Sequence, residues 1–202
     1  MKIGILAVQG DFEAHAKVLA KLGVEYVLVR APGDLAGLDG LILPGGESTT
    51  QWHFLTEEGL KDALAEFARQ GGAFFGTCAG VILLAREVRN PCQDSLGLAN
   101  LVVLRNAYGR QLSSRVRTCA SRLKDAPLEM VFIRAPIIEQ AGPGVEVLAE
   151  VDGKPVLVRR SGLTGFRDLQ QRHQDSRASR ASPMSCCNFS PNISRRTISA
   201  AR

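Results

Sequence analysis

Apolar positions along this chain change their spacing in an ordered way. Residues 2 to 8, Lys-Ile-Gly-Ile-Leu-Ala-Val, form a short apolar run of the kind that a strand buried on both faces requires. The inward positions then fall at His15, Val18, Leu19 and Leu22, a spacing of i, i+3, i+4 and i+7. That spacing predicts a helix, with Asp11 placed to cap it and Gly23 to stop it. Glu-Tyr-Val-Leu-Val-Arg from residue 25 and Gly-Leu-Ile-Leu-Pro from residue 40 predict the second and third strands. A helix is predicted from about Ser48, and another over residues 58 to 70, where Leu60, Ala63, Leu64, Phe67 and Ala68 share one stripe. Gly-Ala-Phe-Phe-Gly at 72 to 76 predicts a fourth strand, and Ala-Gly-Val-Ile-Leu-Leu-Ala-Arg-Glu at 79 to 87 the opening of a further helix. The apolar runs at 98–105, 128–136 and 145–159 predict more strands.

Strand and helix alternating through short links imply parallel strands joined by right-handed crossovers, a doubly wound α/β sheet. In such sheets the working loops lie beyond the carboxyl ends of the strands. Two unusual stretches fall there: Pro44-Gly-Gly-Glu-Ser-Thr-Thr50 after the third strand, and Gly76-Thr-Cys-Ala-Gly80 after the fourth.

The 202 residues, 45% of them apolar, give room for one globular domain and an appendage. No apolar run reaches the ~18 residues that a membrane span needs, and the start turns acidic too soon for a secretory signal, so the cytoplasm is the expected compartment. Five cysteines with no Cys-x-x-Cys spacing indicate neither a disulfide framework nor a zinc site. No metal or cofactor is expected. The net charge of +5 is unevenly placed: residues 159–202 hold nine Arg against two Asp, whereas residues 1–158 hold 16 basic and 18 acidic groups. The expected organisation is therefore a domain over 1–158 and an atypical Arg/Ser-rich, irregular tail over 159–202. The basic tail is read as a solvated end rather than a nucleic-acid arm, and neither nucleic acid nor membrane is an expected partner.

The second loop has the form Gly-x-nucleophile-x-Gly. A sharp strand-to-helix turn lifts Cys78 above the sheet edge, and its neighbours must be small because their Cβ atoms would collide with the turn. The helix beginning there turns its N–H groups toward the sulfur, which favours thiolate. The N–H of Ala79 would face an oxyanion formed on an attacked carbonyl. A buried structural cysteine between packing glycines is the plainer alternative. In the first loop, two glycines can present a backbone N–H unobstructed, making Gly46 the second oxyanion donor. Ser48 and Gln51 match a capping box, and the same helix start can receive a carboxylate. A phosphate loop is a weaker reading, since the Gly-Lys-Ser/Thr ending is absent.

Leu43-Pro-Gly-Gly-Glu-Ser-Thr-Thr50, Gly76-Thr-Cys-Ala-Gly80, Arg105-Asn-Ala-Tyr-Gly-Arg-Gln111 and Phe132-Ile-Arg-Ala-Pro136 occur in this order. Together they resemble the glutaminase subunits of pyridoxal 5'-phosphate synthase, a family of class I, triad-type glutamine amidotransferases. The resemblance covers residues 1–112 and 126–158. It implies a three-layer α/β/α fold with a mostly parallel, flavodoxin-like sheet. It also implies hydrolysis of L-glutamine to glutamate and ammonia, the ammonia passing to a (β/α)8-barrel synthase subunit. By motif, Cys78 would be the nucleophile; Gly46, Glu47 and Ser48 would hold glutamine, and Arg105, Ile133 and Arg134 would complete the pocket.

The resemblance also implies a His-Pro-Glu motif on a late strand, supplying base and orienting carboxylate. No His-Pro-Glu occurs here, and the histidines are His15, His53 and His173. His15 reads as a satisfied, partly buried side chain and His53 as an outward-facing one; His173 lies near the expected position without its context. A catalytically impaired subunit that binds glutamine or the synthase is the alternative to an active glutaminase. Residues 114–124 and 160–202 have the composition of a coding region read in another frame.

Overall fold

The computed structural model of the chain describes residues 1–106, 115–132, 135–160 and 184–187. Strand β1 (Lys2–Leu6) leads through helix α1 (Phe12–Lys21) to β2 (Glu25–Val29). A single 3-10 turn then precedes β3 (Gly40–Leu43), α2 (Ser48–Glu57), α3 (Leu60–Arg69) and β4 (Ala73–Thr77). Helix α4 (Ala79–Leu84) is followed by β5 (Ala85–Arg89), β6 (Ala99–Leu104), β7 (Arg115–Ser121), β8 (Lys124–Phe132), β9 (Ile137–Ala141), β10 (Val145–Val151), β11 (Lys154–Arg160) and β12 (Met184–Cys187).

The main sheet has the order β10-β11-β12-β4-β3-β1-β2. From β12 to β2 every neighbouring pair is parallel, and the β10–β11 hairpin closes one edge antiparallel. The expected parallel sheet is present, and its strands are the short apolar runs. Their residues serve both faces: Phe74 packs edge-on against Phe67 of α3 with centroids 5.5 Å apart, while Phe75 next to it meets the His15 ring of α1. Helix α1 thus lies on one face and α3 on the other, giving the three-layer α/β/α arrangement. The larger core gathers Leu6, Leu43, Leu55, Leu60, Leu64 and Leu83, all fully buried. Each contributes about 1.5–3 kcal/mol relative to an exposed side chain.

Several elements depart from expectation. The helix opened at residue 79 ends at Leu84, and Ala85 turns to extended backbone (φ −60°, ψ 152°). The next five residues join a small sheet, β5-β6-β9. Most of the atypical 114–124 segment is strand: β7 (Arg115–Ser121) pairs antiparallel with β8 from Arg115↔Phe132 to Ser121↔Lys124. In the tail, which was expected to be irregular, Met184–Cys187 forms a strand between β11 and β4. The rest of the tail from residue 161, including His173, lies outside the described residues. Asp11 occupies the N-cap position of α1 but its side chain makes no capping bond. Gly23, at φ +67°, follows the end of that helix as expected.

Candidate functional site

Register sets the site. β3 and β4 are parallel neighbours with Leu43 opposite Gly76, and β1 lies beside β3. The chain therefore leaves three adjacent strands at one sheet edge, through Gln9–Asp11, Pro44–Glu47 and Cys78.

Cys78 has φ +50° and ψ −103°, between the end of β4 and the start of α4. A side chain held there stores ~1–3 kcal/mol of strain that the surrounding packing must sustain. That packing is tight. A Cβ on Gly76 would lie 2.8 Å from Leu84 Cδ1 and 2.9 Å from the Gly80 carbonyl, and one on Gly80 would overlap the Leu43 carbonyl oxygen. The small neighbours are required, as the sequence pattern implied. The thiol is half-buried rather than sealed in the core. The double-glycine turn lies against it: a Cβ on Gly45 would sit 3.5 Å from Cys78 Cβ. Ala79, the first residue of α4, is buried, and an N–H in that first turn has no acceptor within the helix.

Two bonds tie the turn to the first-strand loop on its other side, and a third ties Gln51 of α2 to that loop. The Asp11 N–H donates to Gly45 O at 2.9 Å. The Glu47 N–H donates to Gln9 Oε1 at 3.0 Å, and Gln51 Nε2 donates to Gln9 O at 2.9 Å. A Cβ on Gly46 would stand 2.9 Å from the Gly10 Cα, backbone that cannot give cheaply, as well as 2.5 Å from Gln9 Oε1 and 3.0 Å from Gln51 Nε2, so glycine is favoured there.

The expected Ser48–Gln51 capping box does not form. Glu47 is the N-cap of α2, and its carboxylate accepts from the Thr50 N–H at 2.9 Å, the Thr50 hydroxyl at 3.1 Å and the Thr49 hydroxyl. Its other oxygen meets Arg105 Nη2 at 3.3 Å. Hydrogen bonds from Thr49 and Thr50, with the nearby Arg105 charge, hold the Glu47 carboxyl below the usual carboxylate range against a push from partial burial. Glu47 and Arg105, 58 positions apart in sequence, are thus brought together, with the Arg105 side chain 10% exposed. Glu47→Ala removes the cap and leaves a buried guanidinium without this carboxylate. A loss of ~1–2 kcal/mol is expected, read as a fall of about 2–8 °C in thermal melting; an unchanged melting temperature would refute the cap.

Ser48 is buried, and its hydroxyl donates to Gln93 Oε1 at 2.8 Å while Gln93 Nε2 donates back to Ser48 O at 3.2 Å. Ile133 and Arg134 lie outside the described residues. Gln9, Gln51 and Gln93 escaped the sequence reading as site residues; a glutamine directly after the first strand and before a glycine was the one available local signal.

His15 is buried, shares a 3.3 Å hydrogen bond with Thr77 Oγ1 and meets Phe75 edge-on. Burial pushes its imidazole below the ordinary 6.5, with the Asp11 charge opposing. The unfolded chain takes up a proton as pH falls through 6.5; the folded chain does so only at lower pH, so acid destabilises the fold over that interval. From about pH 8 to about pH 5 the melting temperature of the natural chain should fall more steeply than that of His15→Gln. Parallel curves would remove His15 from the pH response. His53 is exposed on α2 and pairs with Glu57 at 3.2 Å.

Among the described residues no group of three His, Cys, Asp or Glu is placed to hold a metal ion, and no helix is long and apolar enough to cross a membrane.

The chain matches the SNO glutamine amidotransferase family over residues 5–166. It is 52% identical over 159 residues to a Koribacter versatilis protein named pyridoxal 5'-phosphate synthase subunit PdxT, covering 79% of this chain and 82% of that one. A protein of the same name from Deinococcus radiodurans is 44% identical over 185 residues, covering 89% and 94%. A crystal structure of a glutamine amidotransferase superposes with a TM-score of 0.78 at 38% identity, covering 94% of this chain and 89% of that one. A glutamine amidotransferase from Thermotoga maritima superposes at 0.59 with 10% identity, a likeness of fold.

Proposed function

This chain belongs to the SNO glutamine amidotransferase family, and from that premise we propose that it is the glutaminase subunit of a pyridoxal 5'-phosphate synthase. It hydrolyses L-glutamine to glutamate and ammonia in the cytoplasm and passes the ammonia to a (β/α)8-barrel synthase subunit for vitamin B6 biosynthesis. The observation that carries the reading is Cys78 at positive φ on the sheet edge, with the double-glycine turn against it.

Cys78 Sγ attacks the side-chain amide carbon of glutamine. The carbonyl oxygen becomes an oxyanion held by the N–H groups of Ala79 and Gly46. Collapse of this intermediate breaks the C–N bond as the proton given up by the thiol passes to the leaving nitrogen, releases ammonia and leaves a γ-glutamyl thioester, which water hydrolyses to glutamate and the thiol. The Arg105 guanidinium grips the α-carboxylate, and Glu47 faces the α-ammonium. Gly46 and Ser48 line the remainder of the pocket, and Ile133 and Arg134, assigned to glutamine binding by their motif, lie outside the described residues. The thiol proton and the leaving ammonia need a base and acid. The region matching the family contains His15 and His53, neither in a His-Pro-Glu context.

Ammonia release from glutamine, measured with and without the barrel subunit, tests the reading. Hydrolysis accelerated by the partner is expected; no glutamine consumption by the complex would contradict it.

A further inference from the structure

Helix α2 turns Ser48, Gln51 and Leu55 inward, and Gln51 is fully buried where an apolar residue would ordinarily pack. A buried carboxamide is costly unless its groups are bonded. Gln51 Nε2 donates to two backbone carbonyls from different loops, Gln9 O at 2.9 Å and Pro44 O at 3.3 Å. Its Oε1 has no partner. Turning the amide over would set that oxygen against both carbonyls, so the donors determine the orientation. The two carbonyls flank the point where the first-strand loop meets the double-glycine turn. Gly46 has no room for a side chain partly because Gln51 Nε2 is there.

We infer that Gln51 is a positioning residue: its carboxamide clamps the Pro44–Gly46 turn to the Gln9 loop and so sets the turn against Cys78. This rests on the glutaminase reading above. With the Pro44 carbonyl held by Gln51 and the Gly45 carbonyl by the Asp11 N–H, successive peptide planes of the turn are fixed. The Gly46 N–H then points away from the first loop, as a planar trans peptide requires. Gln51 touches neither substrate nor thiol in this role; it acts through the turn. Its orphaned oxygen marks a residue kept for what its nitrogen holds.

The test compares two reagents on Cys78. The chloromethyl ketone analogue of glutamine adds through an oxyanion and so reads the turn, whereas iodoacetamide alkylates directly and reads the thiol alone. Gln51→Leu and Gln51→Met keep the volume and remove the donors. Each should slow chloroketone labelling at least about tenfold, within the range of a lost oxyanion contact, and leave the iodoacetamide rate within about twofold. Unchanged chloroketone labelling, or both rates falling together, would overturn the inference. A natural chain that reacts with iodoacetamide but not the chloroketone would instead refute the glutamine site, and the clamp with it. Should neither variant fold, hydrogen exchange of the Gln51 carboxamide in the natural chain decides. Exchange at least 100-fold slower than at the exposed Gln140 is expected of a clamped carboxamide, and equal rates would overturn it.

Discussion

Cys78→Ala abolishes glutamine hydrolysis, with a fall of ~10³-fold or more in turnover, and leaves the fold intact. The substitution keeps the Cβ, so the elbow is no more strained than before, and a half-buried sulfur contributes little to the core. What disappears is the thiol at the meeting of the three loops. Of the cysteines that precede the tail, Cys92 and Cys119 are poorly suited to replace it. Cys92 is exposed, and burial pushes the Cys119 thiol up, away from the reactive thiolate. Cys92→Ala should therefore leave turnover unchanged. Ammonia release by the Cys78→Ala chain at the natural rate would remove the nucleophile from the mechanism.

The second large effect concerns the base. Replacing residues 161–202 with the C-terminal segment of a family member carrying His-Pro-Glu should raise turnover by ~10²–10⁴-fold, the usual contribution of a positioned acid–base group. The geometry says why that segment matters. β12 occupies the slot between β11 and β4, with Cys187 opposite Thr77, one residue before the nucleophile. A strand in that slot delivers its carboxyl end beside Cys78. Here the strand reads Met184-Ser-Cys-Cys187 and supplies neither histidine nor carboxylate. Translating the other two reading frames beyond codon 159 should reveal the missing tripeptide. Equal turnover of the natural chain and the chimera would place the base elsewhere.

The sheet was legible because strands buried on both faces are continuous apolar runs, and the elbow because its glycine spacing is a local pattern, even though Gly80 is held small by Leu43 of the neighbouring strand. Other features depend on distant partners. Leu83, Leu84 and Ala85 are all fully buried, and no glycine or proline marks where helix gives way to strand; pairing with β6 decides it. The β7–β8 hairpin turns at Arg122 and Leu123, which carry no turn signal, and Arg115-Val-Arg-Thr lacks a clear alternation. Ser48-x-x-Gln51 satisfies the capping pattern on paper. It fails because Gln51 is drawn inward to two loop carbonyls, leaving Glu47 to cap the helix. The Glu47–Arg105 and Ser48–Gln93 pairs span 58 and 45 positions and follow only from the fold.

Acid-quenched mass spectrometry of the His-Pro-Glu chimera mixed with glutamine tests the central claim most directly. A hydroxylamine-sensitive γ-glutamyl group should be found on the peptide containing Cys78 and be absent from the Cys78→Ala chimera. Steady glutamine hydrolysis by the Cys78→Ala chimera, or a γ-glutamyl group on Cys92 or Cys119 instead, would contradict it.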